Sequence, residues 1–150
     1  MLERGALAPS FVATTDSGAR IDFSGFRGRR VVLYFYPKAS TTGCTMEAKG
    51  FADHYPELER AGIAVIGVSV DSVEDQHRFS ENCRLPFPLV ADADKAVARQ
   101  YGVLGLLGIA KRVTFFVGPD GRIEEVVQGM LPAPHVRRAI ERARAAAPPP

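Results

Sequence analysis

Two continuous apolar segments constrain the fold of this chain more than any other feature. Residues 30–36 (RVVLYFY) and 63–70 (IAVIGVSV) are rich in β-branched and aromatic side chains, which is typical of strands buried on both faces. Between them, residues 44–61 have a helical pattern that Gly62 ends. The apolar side chains predicted on one face of this helix are Met46, Phe51, Tyr55 and Leu58. A strand, a helix and a strand in this order predict a parallel pair in the centre of a sheet, because such crossovers are right-handed.

The rest of the chain continues the alternation and then closes with a hairpin. The predicted elements are a hairpin within 11–23, a helix from 71 or 72 to about 86, a short strand at 88–91, a short helix at 94–101, strands at 113–117 and 123–128 around the turn GPDGR, and a helix at 134–145. This order predicts an α/β, thioredoxin-like fold, with a central mixed β-sheet flanked by helices and an N-terminal β-hairpin. We expect a single domain over 1–150, with a disordered tail at 147–150 because three prolines stop any helix there.

Composition and charge narrow the classes of function. The net charge is +2, and no basic stripe with interleaved aromatic side chains occurs, which argues against nucleic acid as a partner. No apolar run reaches the length of a membrane span, and the first residues lack the apolar core of a secretory signal. We therefore expect a cytosolic protein that does not bind membranes, and a monomer as the default state.

The chain has only two cysteines, Cys44 and Cys83. In a reducing compartment, such thiols are more often catalytic or redox-sensing than part of a structural disulfide. Cys44 lies in the first turn of a predicted helix, where unpaired amides and the helix dipole stabilise an anion and so favour the thiolate. The thiolate is the nucleophilic form. The alternative for Cys44 is a buried, inert side chain.

The residues around Cys44 favour a reactive site. Thr41 precedes Cys44 by three residues, where a CxxC motif would have its first cysteine, and its hydroxyl can bond a peroxide oxygen or the thiolate. Gly43 allows the backbone to approach a small ligand closely. Pro37 ends the strand and fixes the direction of the loop. The absence of a CxxC pair argues against a thiol–disulfide oxidoreductase.

The segment YFYPKASTTGCTMEAKGF at 34–51 resembles the active-site segment of peroxiredoxins, whose pattern is PxxxTxxC. Here the pattern consists of Pro37, Thr41 and Cys44. The letters FYPK, GCT and EA are similar to the bacterioferritin comigratory protein, or peroxiredoxin Q, branch. Further resemblance lies in APSF near the N-terminus, in residues 62–71 and in RVTF at 112–115. The resemblance covers nearly the whole chain.

The resemblance implies a thiol-dependent peroxidase that needs no metal, haem or flavin. Cys44 attacks hydrogen peroxide or an alkyl hydroperoxide and becomes a sulfenic acid. RVTF resembles the strand that carries the family's active-site arginine, which here is Arg112; Thr41, Gly43 and Arg112 are the substrate-binding residues. Lys111 is expected at the surface. Glu47, one turn into the helix, either orients Arg112 or lies at the helix surface near the positive end of the dipole.

The same resemblance gives two routes for the sulfenic acid. Many members of the branch have a second cysteine five residues after the first, where this chain has Lys49. Some members have it on the later helix instead, which implies an intramolecular disulfide between Cys44 and Cys83, reduced by thioredoxin or a similar dithiol. In the other route Cys83 is structural and an external thiol resolves Cys44.

Two questions stay open from the sequence. A non-enzymatic redox sensor remains an alternative to the enzyme. The apolar loop 103–109 (VLGLLGI) fits either core filling or an exposed patch for a partner or a hydroperoxide tail.

Overall fold

The computed structural model describes residues 1–146, so the predicted tail at 147–150 lies outside the described residues. The strands are β1 Val12–Thr14, β2 Arg20–Asp22, β3 Arg30–Phe35, β4 Ile63–Ser69, β5 Leu89–Ala91, β6 Val113–Val117 and β7 Ile123–Gln128. The helices are α1 Thr42–Asp53, α2 Tyr55–Arg60, α3 Val73–Cys83, α4 Ala96–Gln100 and α5 Pro132–Ala146, with a short 3-10 helix at Phe23–Phe26. No helix among residues 1–146 is long and apolar enough to cross a membrane.

Five strands form one mixed sheet in the order β5-β4-β3-β6-β7. The strands β3, β4 and β5 are parallel, whereas β6 and β7 are antiparallel to their neighbours. The first two strands form a separate antiparallel hairpin. This is the mixed sheet with an N-terminal hairpin that the sequence predicts. Because β3 is central, the loop that leaves its carboxyl end lies over the middle of the sheet.

The sheet has a hydrophobic cluster on each face. Along β3, Leu33 and Phe35 belong to one cluster, together with the N-terminal segment and α4. Val32 and Tyr34 belong to the other, which packs against α1, α2, α3 and α5. This alternation follows from the two-residue period of a strand. Both cysteines lie on the second face of the sheet. Cys44 is a buried member of this second cluster, and the partly buried Cys83 packs against it.

The predicted continuous helix over 44–61 is wrong. The structure has α1 and α2 separated at His54, and Pro56 lies in the first turn of α2. Proline has no N–H and its ring collides with the preceding turn, so α1 cannot continue through it. The prediction that Met46 shares a helix face with Phe51 is also wrong, since 62% of Met46 is exposed and Phe51 is buried.

Candidate active site

Cys44 lies in the first turn of α1, at the carboxyl end of the central strand. Thr41 is the N-cap, and the first intrahelical bond runs from Thr45 N to Thr41 O at 2.8 Å. The amides of Thr42, Gly43 and Cys44 precede this bond and so have no partner within the helix. Only 1% of Cys44 is exposed. The thiol therefore lies at the positive end of a helix dipole with little access for bulk water.

The loop between β3 and α1 is fixed from the neighbouring strand. Asp71 follows the carboxyl end of β4, and its Oδ2 accepts from Ala39 N at 2.8 Å and from Ser69 Oγ at 2.6 Å. Pro37 is half-buried at the start of the loop. From the sequence, residue 71 is predicted only as a possible start of the next helix. Because parallel strands end at one edge of a sheet, a polar residue at this position could have been expected to hold the loop.

Thr41 is exposed, and its hydroxyl donates to Lys38 O at 2.8 Å. A hydroxyl has one proton to donate. Because this proton is donated to Lys38 O, the Thr41 oxygen can act only as an acceptor for a further group, for example the O–H of a peroxide. This is one of the two roles that the sequence leaves open for it.

Arg112 directly precedes β6, and its side chain extends to Cys44 on α1. Its Nη2 donates to Cys44 Sγ at 3.4 Å, its Nη1 to Glu47 Oε1 at 2.6 Å and its Nε to Met130 O at 2.9 Å. These three acceptors lie in different directions and together fix the planar guanidinium. The single ammonium group of a lysine could not reach all three of them. Only 4% of Arg112 is exposed, whereas Lys111 beside it is exposed.

Glu47 is fully buried one turn after Cys44, on the same face of α1. Burial raises the pKa of its carboxyl to about 7, and the opposing attraction of Arg112 lowers it only in part. Among the described residues, no group hydrogen-bonds its Oε2, and His135 Nδ1 lies 3.9 Å away from that oxygen. The structure therefore places Glu47 against Arg112 and not at the helix surface.

Gly43 makes room for the guanidinium. A Cβ at this position would lie 3.0 Å from Arg112 Nη2 and 3.9 Å from Pro132 Cγ. From the sequence, Gly43 is predicted to let a small ligand approach the backbone closely. In the structure the group that approaches is Arg112, and it does so on the side of the helix that carries Cys44.

Cys83 is the last residue of α3 and is half-buried. Both cysteines are free thiols in the described part of the chain. Burial raises the pKa of the Cys83 thiol, and the positive charge of Lys49 acts in the opposite direction. Arg84 follows in the left-handed region with φ 52°, a conformation that costs energy for residues other than glycine. The carboxyl end of α3 thus has a left-handed cap that glycine would adopt at lower cost.

The sequence analysis missed His135 on α5, which is fully buried beside the site. Its Nδ1 lies 2.8 Å from Thr114 Oγ1 and its Nε2 lies 2.8 Å from Gly129 O. A signal was present, because the buried residues of α5 are spaced by four: His135, Ala139 and Ala143.

Of the apolar loop 103–109, the structure buries the first residue and exposes the middle. Val103 belongs to the core, whereas Leu106 and Leu107 are almost fully exposed. Met130 and Leu131, which follow β7, are also exposed. Core filling therefore holds for Val103, whereas a contact of Leu106 and Leu107 with a partner or a hydroperoxide tail stays a prediction.

Comparison with known proteins agrees with this geometry. Residues 5–126 match the AhpC/TSA family. Peroxiredoxin Bcp of Escherichia coli (strain K12) is 38% identical over 141 residues, covering 89% of this chain and 90% of the relative. Peroxidoxin BcpB from Mycobacterium tuberculosis has a TM-score of 0.90 and 34% identity, and the match covers 97% of this chain and 98% of that one. A Xanthomonas campestris bacterioferritin comigratory protein, described for its alkyl peroxide reduction activity, has a TM-score of 0.85 and 31% identity over 92% of each chain. These neighbours confirm the predicted thioredoxin-like fold.

Proposed function

Because the chain belongs to the AhpC/TSA family and is a peroxiredoxin, a thiol-dependent peroxidase, we propose that Cys44 is the residue that attacks the peroxide. The observation that carries this proposal is the 3.4 Å contact from Arg112 Nη2 to Cys44 Sγ at the N-terminus of α1. A guanidinium and a helix dipole both stabilise the thiolate over the thiol. The proposal favours an enzyme over a non-enzymatic sensor.

In the first step the Cys44 thiolate attacks the terminal oxygen of the hydroperoxide. The S–O bond forms, the O–O bond breaks, and the leaving oxygen departs as an alkoxide or hydroxide that takes up a proton. Negative charge moves from sulfur to that oxygen during the step. Donors fixed around this path, namely Arg112 Nη2 and the first amides of α1, stabilise the transition state more than the ground state. The product is a sulfenic acid on Cys44.

The neighbouring residues prepare this step. Glu47 holds Arg112 through the bond to Nη1, and Gly43 leaves space for the guanidinium. Thr41 accepts from the peroxide O–H, and Pro37 directs the loop that carries it. Together, Thr41, Gly43 and Arg112 form the substrate-binding group.

For the second step we propose that Cys83 resolves the sulfenic acid. Its sulfur attacks the sulfur of Cys44, a disulfide forms and water leaves; thioredoxin or a similar dithiol then reduces the disulfide. Support comes from the position of Cys83 on the same face of the sheet and at the end of α3, next to the left-handed Arg84. Because Cys44 is buried within α1, both helix ends must open locally before the sulfurs meet. Resolution by an external thiol is the alternative.

The peroxide class and the state of the protein are also proposals. The Xanthomonas campestris relative reduces alkyl peroxides, and the exposed apolar side chains of Met130 and Leu131 next to Arg112 suit the tail of such a substrate. We propose a cytosolic, monomeric, single-domain enzyme that acts on hydrogen peroxide and alkyl hydroperoxides.

The deciding experiment is peroxide consumption with thioredoxin and its reductase. Steady turnover at micromolar peroxide is expected for the wild type and none for Cys44→Ser. Arg112→Lys should lose on the order of 100-fold in rate, the effect of one preorganised donor, while Lys111→Ala is the matched surface control. Equal rates for these two variants would refute the role of Arg112.

Resolution by Cys83 needs its own measurement. Protein treated with one equivalent of peroxide, without reductant, is digested and mapped by mass spectrometry. We expect an intramolecular 44–83 disulfide in the wild type and over-oxidised Cys44 in Cys83→Ser. A stable sulfenic acid with an alkylatable Cys83 would support the external-thiol route, and an intermolecular disulfide would contradict the monomer.

A further inference from the structure

His135 carries a hydrogen-bond arrangement that defines its chemical form. Its Nε2 lies 2.8 Å from the carbonyl oxygen of Gly129, and a carbonyl can only accept. The proton must therefore be on Nε2. Burial lowers the pKa of the imidazole, and the nearby charge of Arg112 lowers it further, so the neutral form is favoured. In that form Nδ1 accepts from the Thr114 hydroxyl at 2.8 Å.

The bond to Gly129 holds a segment whose own side chains do not anchor it. Gly129 has φ 132°, and Met130 and Leu131 are largely exposed. The backbone of this segment is instead held by hydrogen bonds, from His135 to Gly129 O and from Gly129 N to Arg112 O at 3.3 Å. Since Met130 O accepts from Arg112 Nε, the position of this carbonyl decides where the guanidinium lies.

The other side of the imidazole contacts the remaining supports of Arg112. Thr114 lies on β6, two residues after Arg112, and Glu47 Oε2 lies 3.9 Å from Nδ1. The charged groups beside this imidazole are Glu47 on α1 and Arg112 itself. A second cation here would repel Arg112, so an uncharged donor and acceptor suits the position.

We propose that His135 is a positioning residue for Arg112. Its bond to Gly129 O fixes the segment that contains Met130, and its bond to Thr114 fixes that segment to β6, next to Glu47. This rests on the proposed function, in which Arg112 acts on the peroxide at Cys44. His135 does not touch the sulfur or the substrate. Its effect reaches the reaction only through the guanidinium.

Three substitutions separate the two bonds of the imidazole. In His135→Gln, the amide N–H reaches the position of Nε2 and keeps the bond to Gly129. In His135→Asn, the amide matches Nδ1 and loses Gly129, and in Thr114→Val the hydroxyl is lost without a change at His135. His54→Gln, at the junction of α1 and α2, is the control. All variants are compared by thermal unfolding and by the second-order rate of Cys44 oxidation by hydrogen peroxide.

We expect His135→Asn to lose about 10-fold in this rate, less than the roughly 100-fold loss of a direct donor. His135→Gln should stay within about threefold of the wild type, because the bond to Gly129 remains. Combining His135→Asn with Arg112→Lys should add no further loss, because residues that act through one another are not additive. A merely structural role predicts additive losses instead. If His135→Asn does not fold, Thr114→Val combined with Arg112→Lys gives the same test.

Two outcomes overturn the inference. One is a His135→Asn or Thr114→Val rate equal to that of the wild type. The other is an oxidation rate that falls equally in His135→Gln and His135→Asn, together with a loss that adds to that of Arg112→Lys when the substitutions are combined. Failure of the proposed function looks different, since Arg112→Lys alone would then keep the wild-type rate.

Discussion

Replacing Gly43 with alanine should increase stability and decrease activity at the same time. Gly43 is the second residue of α1 and does not have a positive φ, so the backbone accepts alanine without strain. Alanine in place of glycine within a helix typically stabilises by about 0.5–1 kcal/mol. The added Cβ, however, would lie 3.0 Å from Arg112 Nη2.

The magnitude follows from this distance. An ordinary contact begins at 3.4 Å, so the guanidinium must shift by 3.4 minus 3.0, which is 0.4 Å. Nη1 is held by Glu47 and Nε by Met130, so the displacement falls mainly on the 3.4 Å contact between Nη2 and Cys44 Sγ. Complete loss of one preorganised donor costs roughly 100-fold in rate, and we expect about 10-fold for this partial displacement.

Two measurements on the same protein check this prediction. Stopped-flow kinetics give the second-order rate of Cys44 oxidation by hydrogen peroxide, and urea unfolding gives the free energy of unfolding. Gly25→Ala is the matched control, because a Cβ there would meet no described atom within 4 Å apart from its own local backbone and chain neighbours. The reasoning is refuted if Gly43→Ala is more stable than the wild type and oxidises at the same rate as Gly25→Ala.

Three further predictions concern buried or strained groups. In the folded state burial raises the pKa of Glu47 to about 7, above the usual carboxyl value of 4.5. Between these two values the folded state binds the proton more tightly than the unfolded state does. Glu47 therefore makes the free energy of unfolding fall as the pH rises through this range, by at most about 1.4 kcal/mol per pH unit. Glu47→Gln should lack this fall, which urea unfolding of both proteins at pH 5 and pH 7.5 will show; parallel pH curves would contradict it. Tyr34→Phe should raise the free energy of unfolding by about 1 kcal/mol, since no described residue hydrogen-bonds the buried Tyr34 hydroxyl; a loss of stability would mean that this hydroxyl is satisfied. Arg84→Gly should raise thermal stability by relieving the left-handed conformation, and should slow disulfide formation at Cys83 by strengthening the end of α3. An unchanged rate of disulfide formation after oxidation, measured by quenched alkylation, would show that opening of α3 does not limit resolution.

The strands could be predicted because their patterns are local. Both bounds of β6 and β7 agree with the predicted 113–117 and 123–128, since a turn sequence separates two short apolar runs. The continuous helix predicted after Cys44 failed at Pro56, and the predicted stripe failed for a separate reason, since it contained only apolar residues. The real buried stripe of α1 contains Cys44 and Glu47 beside Ala48 and Phe51. A carboxylate fits there only because Arg112 is its partner, 65 residues away in the chain.

The candidate site shows the same division. Cys44, Thr41 and Pro37 form a compact motif, so a resemblance could identify them. His135 and the Met130 carbonyl form no motif with Cys44, because they lie far along the chain from it, on α5 and in the loop before α5. Sequence spacing alone does not reveal such supports, although the buried face of α5 indicates that His135 points inward.

The supports of Arg112 also determine when the surroundings of Cys44 are complete during synthesis. Chains leave the ribosome from the N-terminus, and domains fold in that direction. Cys44 therefore emerges well before Arg112, and Arg112 before the Met130 carbonyl that accepts from its Nε. The three bonds of the guanidinium cannot form together until the last helix begins to be made. If Cys44 attacks the peroxide as proposed, a nascent chain therefore still lacks the Arg112 contact at this thiol, and the complete site exists only in the finished protein.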